Sequence, residues 1–261
     1  MHLVKAHAYG NDFLLLGEAH VPSTTGRDDL ARALCDRHRG IGADGLIVYT
    51  ATGQMDLLNA DGSYSEVSGN GLRCLAAWLA RERQLRPGAG VDVETDAGVK
   101  RLELLSVDDR RFTFRAAMGP PEQLRQQTID VDGTPVAAVT LRVGNPQCVV
   151  LGPPAHLTHE RLHAIAAKLA VHPVFPEGSN VELATVEAPD RVRILIWERG
   201  VGPTEASGTG ACASAVAAIA YGGANRDVQV TSPGGTQRVE WLEDGIYLTG
   251  WADVVCTADV L

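Results

Sequence analysis

The chain has 261 residues, 45% of them hydrophobic and 21% charged, enough to bury a core in one large domain or two ordinary ones. A formal net charge of −9 with no dense Lys/Arg run argues against a nucleic-acid partner. The five cysteines, Cys35, Cys74, Cys148, Cys212 and Cys256, are odd in number and form no C-x-x-C pair, and the eight histidines form no H-E-x-x-H. Neither a disulfide framework nor a metal site is expected, and reduced thiols suit the cytosol. Met1-His2-Leu3-Val4-Lys5 lacks the apolar run of a secretory signal, and the longest apolar stretch, over 211–221, is too short to span a bilayer. A cytoplasmic protein without membrane contact is the expectation.

In chain order, the patterns predict a helix over 28–38, a strand over 46–49, a turn at Asp61-Gly62 and a helix over 69–83. Strands over 91–94 and 112–114, a turn at Asp132-Gly133, a strand over 139–143 and a helix over 159–170 follow. The chain closes with a strand over 192–197, a helix over 208–221 and turns at Pro233-Gly234-Gly235 and Asp244-Gly245. Many strands sit in hairpin-like pairs, which points to mixed sheets. The segments at Leu72 to Ala80 and Ala211 to Ala220 are apolar almost all round, so each belongs inside a fold. The predicted class is α+β: two pseudo-symmetric lobes, each a mixed β-sheet wrapped around a central buried α-helix.

The entries to those two helices match. Glu66-Val67-Ser68-Gly69-Asn70-Gly71 opens the first and Glu205-Ala206-Ser207-Gly208-Thr209-Gly210 the second, about one domain length apart. Gly10-Asn11-Asp12 and Gly144-Asn145-Pro146 precede them at similar distances. Two copies of one lobe are expected, residues 1–115 completed by a strand over 250–261, and residues 116–249, with an active site in the cleft between them. Each S-G-x-G offers backbone N–H groups at a helix start, where glycine admits a ligand closely and the helix dipole adds roughly half a positive charge. Two such termini facing one ligand would hold a carboxylate and approach opposite faces of its α-carbon, as stereoinversion requires. A lone serine before a helix is usually a simple cap; two equivalent copies weaken that reading.

On these residues the chain resembles the diaminopimelate epimerases, which interconvert LL- and meso-diaminopimelate without a cofactor. The resemblance runs through Ala8-Tyr9-Gly10-Asn11-Asp12-Phe13, Asp36 to Gly45, Asn59-Ala60-Asp61-Gly62-Ser63 and Gly69 to Cys74. It continues through Gly144-Asn145-Pro146, Asn180-Val181-Glu182, Trp197 to Gly202, Gly208 to Cys212 and Pro233-Gly234-Gly235. It implies backbone donors to the reacting carboxylate from Gly69, Asn70, Gly208 and Thr209. It implies that Asn11, Asn59, Asn145, Asn180, Glu198 and Arg199 bind the other polar groups of a small amino acid. It implies no cofactor and no metal, and homodimers occur in the family.

The family has a cysteine before each G-x-G, as a thiol/thiolate acid–base pair, where this chain has Ser68 and Ser207; the family's histidine after the second Asn-Pro is here Gln147. A thiol titrates near 8.5 and an alkanol near water's 15.7, a gap of about seven units or roughly 10 kcal/mol. Helix dipoles return about 0.3 to 2 kcal/mol each, so an unassisted serine is a poor base for a Cα–H bond. Several readings follow. Ser68 and Ser207 occupy the acid/base positions of an epimerase, either as replacements of the thiols that trap a substrate or as native residues that Glu66 and Glu205 assist directly or through water; the chain binds an amino acid without turnover; or it acts on another amino acid. Cys74 and Cys212 lie inside buried helices and are expected to pack in the core.

Overall fold

The two apolar segments behind S-G-x-G fold as helices, and each is covered by a sheet. The structure, a computed structural model, describes residues 1–65, 68–96 and 98–260. The chain divides into two compact units, residues 1–116 with 250–261, and residues 117–249.

Unit one runs β1 (His2–Ala8), β2 (Asn11–Gly17), α1 (Arg27–Cys35), β3 (Gly45–Tyr49), β4 (Met55–Asn59), β5 (Tyr64–Ser65), α2 (Gly69–Glu82), β6 (Gly90–Thr95), β7 (Gly98–Asp108) and β8 (Arg111–Gly119). The final residues of β8 enter unit two. Unit two runs β9 (Glu122–Val131), β10 (Thr134–Val143), β11 (Asn145–Leu151), α3 (His159–Ala170), β12 (Asn180–Ala188), β13 (Arg191–Glu198), β14 (Gly202–Thr204), α4 (Gly208–Tyr221), β15 (Asp227–Ser232), β16 (Gly235–Leu242) and β17 (Gly245–Asp259). From Gly250 onward β17 belongs to unit one, where it pairs antiparallel with β1.

The repeat extends to topology. In unit one β2 pairs parallel with β3, and β3 antiparallel with β4. In unit two β11 pairs parallel with β12, and β12 antiparallel with β13. Both faces of these strands are covered, which explains their near-continuous apolar sequences. Leu14, Leu16, Leu46 and Val48 pack against Leu30, Ala31 and Leu34 of α1, while Phe13 and Ile47 point at the first turn of α2. In unit two Val181, Leu183, Cys148 and Val150 meet α3, and Val149, Ala184, Ile194 and Ile196 meet α4. The small side chains of α4 (GTGACASAVAAIAY) are what let its backbone lie close against the strands.

Helices α2, α3 and α4 begin at the residues the sequence predicts, but α1 stops at Cys35 and not at 38. Asp36 breaks it: its Oδ1 accepts from the N–H groups of His38 at 2.7 Å and Arg39 at 2.8 Å, an Asx turn that competes with the helix. The β9–β10 hairpin turns on Asp132 (φ 52°) and Gly133 (φ 81°), the left-handed pair a tight hairpin demands.

Beside the start of β2, buried Asp12 takes a guanidinium hydrogen bond from Arg37 at 2.8 Å and lies 2.6 Å from Lys5 Nζ. Burial pushes its carboxyl up, but the bonds from Arg37 and Lys5 outweigh burial and bring it down to about 2. A depressed carboxylate stabilises the fold above its unfolded value and loses that contribution as pH falls through the folded one. Asp12→Asn is therefore expected to cost about 1–2 kcal/mol at pH 7, a figure discounted for the half-exposed Arg37. The two proteins' urea midpoints should converge as the pH approaches 2; a gap that persists there would contradict the assignment.

Candidate active site

Ser68 and Ser207 are built alike. Each is an N-cap in extended conformation, φ −125° and ψ 124° for Ser68, φ −136° and ψ 129° for Ser207. Each Oγ accepts from an N–H two residues inside the helix, Gly71 for Ser68 and Gly210 for Ser207, both at 3.2 Å. The simple capping role is thus fulfilled in both copies. It also has a chemical consequence, because an N–H aimed at Oγ together with the helix dipole favours negative charge on that atom. An α-helix leaves its first N–H groups without intrahelical acceptors. In these two helices they include those of Gly69 and Asn70, and of Gly208 and Thr209.

Unit one surrounds its cap with a polar chain. Asn70 donates to Asn11 Oδ1 at 3.1 Å, Asn11 donates to Asp44 at 2.8 Å, and the guanidinium of Arg73 donates to Asn70 Oδ1. Arg73 is 4% exposed inside the helix that reads as apolar all round, a correction to that reading. The hydrogen bond to Asn70 one turn earlier is what makes its burial tolerable. Asn59 is exposed, its amide donating to Ser63 Oγ at 2.9 Å. Glu66 lies outside the described residues.

In unit two the residues gather at the ends of adjacent strands. Asn145 and Gln147 start β11, Asn180 starts β12 opposite Gln147, and Glu198 ends β13. Gln147 Nε2 donates to Asn145 Oδ1 at 2.5 Å, and the backbone N–H of Arg199 donates to Asn180 Oδ1 at 2.9 Å. The side-chain amide nitrogens of Asn145 and Asn180 have no acceptor among the described residues. Arg199 is exposed, its guanidinium donating to Glu177 O. Glu198 is half-buried; burial raises its carboxyl above the ordinary 4.5, with Ser207 acting in the opposite direction. Ser207 Oγ also lies 3.4 Å from Thr209 Oγ1. Glu205, by contrast, is exposed.

Sequence reasoning missed Arg73 and Glu182. The signal for Glu182 was an acid flanked by Val181 and Leu183 in a strand whose neighbours are apolar on both faces. Cys74 and Cys212 are fully buried, and burial drives the Cys74 thiol upward, away from use as a base. Among the described residues no group of three or more His, Cys, Asp or Glu is arranged to hold a metal, and no helix is long and apolar enough to cross a membrane.

Glycines at the first and third positions of these helix starts differ in the space around them. A methyl group on Gly69 would meet nothing within 4 Å, whereas one on Gly210 would lie 2.6 Å from Glu182 Oε1 and 3.2 Å from Ser207 Cβ. Gly210→Ala is expected to destabilise by about 1–3 kcal/mol through overpacking, and Gly69→Ala to leave the thermal midpoint level or higher. Equal midpoints for the two variants would contradict this packing.

A family model described as "Diaminopimelate epimerase" matches residues 3–124 and 139–255. A diaminopimelate epimerase of Desulforudis audaxviator is 39% identical over 277 aligned positions, covering 98% of this chain and 97% of its own length. One from Desulfitobacterium hafniense is 38% identical, covering 98% and 96%. Among solved structures, a probable proline racemase from Agrobacterium radiobacter superposes with a TM-score of 0.73 at 18% identity, covering 100% of this chain and 92% of its own. A hydroxyproline epimerase from Agrobacterium vitis gives 0.68 at 17%, covering 99% and 91%. At such identities the structural likeness shows the fold.

Proposed function

The chain belongs to the diaminopimelate epimerase family, isomerases of the amino-acid epimerase and racemase type, and on that footing we propose that it interconverts LL- and meso-diaminopimelate without a cofactor. The observation that carries the reading is the matched pair of serine-capped helix starts, with similar backbone angles and equal hydrogen-bond lengths. Gly69, Asn70, Gly208 and Thr209 hold the reacting α-carboxylate through backbone N–H groups. Ser68 and Ser207 stand at the acid/base positions, one as its alkoxide taking the α-proton and becoming a hydroxyl, the other as a hydroxyl giving its proton from the opposite face and becoming the alkoxide. Asn11, Asn59, Asn145, Asn180, Glu198 and Arg199 bind the remaining polar groups, and the open amide donors of Asn145 and Asn180 support that role. The expected setting is lysine biosynthesis in the cytoplasm.

The test is incubation of LL-diaminopimelate with the protein at high concentration in D2O. Slow α-deuterium incorporation with appearance of the meso isomer is expected; a folded sample that exchanges nothing would rule out turnover by this sequence. Gly69→Ala, which leaves the fold intact, is expected to weaken diaminopimelate binding in calorimetry by at least about tenfold, or 1.4 kcal/mol. Unchanged affinity would remove the carboxylate from that helix start.

A second reading has its own observation, because both serine hydroxyls are engaged as caps and neither has a thiol's acidity. It is an amino-acid-binding protein without turnover, and it predicts ligand-dependent thermal stabilisation with no exchange. A calorimetric screen including proline and hydroxyproline separates either reading from one with a different substrate.

A further inference from the structure

The two copies of the helix start differ together at two places. Two residues after the serine stands Asn70 in unit one and Thr209 in unit two; five after it stand Arg73 and Cys212. Asn70 and Arg73 are three apart, the spacing that sets side chains next to each other on a helix. The guanidinium of Arg73 donates to Asn70 Oδ1, Asn70 Nδ2 donates to Asn11 Oδ1 at 3.1 Å, and Asn11 Nδ2 donates to Asp44 Oδ2 at 2.8 Å. A guanidinium can only donate and a carboxylate can only accept, so the two ends fix which way both amides point. The far end is anchored in turn. Arg37 donates to the other oxygen of Asp44 at 2.8 Å, and the backbone N–H of Asp12 donates to Oδ2 at 3.1 Å.

Arg73 is also held from outside its helix. Its guanidinium carbon lies 5.7 Å from the centre of the Tyr9 ring, a cation over an aromatic face. Tyr9 is buried in the left-handed region at φ 56°, an outlier for a bulky residue. Its ring lies 4.4 Å from that of Trp251, and its hydroxyl accepts the Trp251 N–H at 3.2 Å. Strand β17 passes so close that a methyl group on Gly250 would lie 3.1 Å from the Tyr9 hydroxyl oxygen and 3.3 Å from Arg73 Nε. A strained tyrosine and a hemmed-in glycine thus border one buried guanidinium. Side chains on a helix lean toward its N-terminus, and at 1.5 Å per residue Arg73 starts only about 4.5 Å along the axis from Asn70. A permanent positive charge therefore stands close behind the N–H groups of Gly69 and Asn70, buried where salt screens it least. Unit two has Cys212 in that place.

We propose that Arg73 is a positioning residue for the carboxylate site at the start of α2, acting in two ways: it orients the amides of Asn70 and Asn11, and it adds a fixed charge to the helix dipole. The proposal rests on the part of the epimerase reading that places the α-carboxylate at this helix start. Arg73 takes no part in proton transfer, because a guanidinium keeps its protons throughout. Its first contribution passes through Asn70 and vanishes if that amide is removed. Its second needs only the charge and survives the loss of Asn70.

Calorimetric affinity for LL-diaminopimelate separates the two, with thermal midpoints showing that each variant is folded. Arg73→Gln keeps a donor for Asn70 and loses the charge, and is expected to bind about tenfold more weakly, within what a charge at a helix start contributes. Arg73→Met loses both and should bind about a hundredfold more weakly, as the lost hydrogen bond to a charged group adds to the lost charge. Arg73→Lys restores charge and donor and should return to within about threefold of the parent. Placed on Asn70→Thr, which copies unit two, Arg73→Met should cost only about the tenfold that belongs to charge. A purely structural role would lower the midpoint and leave this coupling absent. Parent-like affinity in Arg73→Met, or a hundredfold loss on both backgrounds, overturns the proposal. Should Arg73→Met not fold, Arg73→Gln and Arg73→Lys decide it: Gln as tight as the parent, or Lys as weak as Gln, overturns it. A folded parent that binds no diaminopimelate fails the epimerase reading and takes this proposal with it, whereas a parent and variants that bind alike fail the proposal alone.

Discussion

Replacing Ser68 and Ser207 together by cysteine is expected to raise α-deuterium incorporation into diaminopimelate by several orders of magnitude. The backbone for the change is in place, since each Oγ already receives an N–H at 3.2 Å from the third residue of its helix. A thiolate at the same point keeps that bond and the helix dipole, both of which favour the anion. What changes is the intrinsic acidity, a gap of about seven units or roughly 10 kcal/mol between alkanol and thiol. Only part of it reaches the rate, because proton transfer responds fractionally to the strength of the base. Each single replacement should give little, as inversion needs a donor and an acceptor. Exchange rates by proton NMR check this, and a double variant no faster than the parent would mean that positions 68 and 207 do not face the α-carbon.

Glu182→Gln is expected to weaken the loss of stability with rising pH around neutrality. The folded protein holds this proton well above the ordinary glutamate value of 4.5, because of burial and then Glu198. Between those two values the folded state binds more protons than the unfolded one, so stability falls as pH rises, by up to about 1.4 kcal/mol per unit for this group. The contribution is fully present below 4.5 and is lost as pH climbs toward the folded value. The raised carboxyl of Glu198 acts in the same direction. An amide of the same shape has no such linkage. Urea unfolding from pH 5 to pH 8 should therefore show the variant gaining on the parent with each step. A constant difference across that range would mean that Glu182 titrates normally.

Much of the site was legible because its signals are local. An S-G-x-G ahead of an apolar run fixes a cap and a helix whatever surrounds it, and α2 and α4 begin where that pattern places them. Only β3, β6, β8, β10 and β13 were found, as short cores that lengthen at their ends, the expected 139–143 being the last half of β10; the other strands were not named. What the sequence hid depends on partners far along the chain. Arg73 reads as an exception in an apolar helix until Asn70 and Asn11 are seen beside it. Glu182 reads as one more motif residue, and only the strand register shows that it stands where the first unit has Ile47. The end of α1 was missed for a smaller reason, since Asp36 serves equally in a helix or as the head of an Asx turn.

The way β17 crosses back has a consequence for the order in which the chain acquires its shape. Unit two is an unbroken segment, but unit one is assembled from residues 1–116 and 250–261. Its strand β1 lies between β2 and β17, with His2 opposite Asp259 and Lys5 opposite Cys256. On the ribosome the first half therefore waits with one edge of β1 open until the second half has been made. Such long-range closure slows folding and leaves a strand edge available for wrong pairing in the meantime. Cutting the gene at residue 116 would not yield two half-enzymes to recombine; a circular permutant carrying 250–261 ahead of Met1 is the form in which the first half could stand by itself.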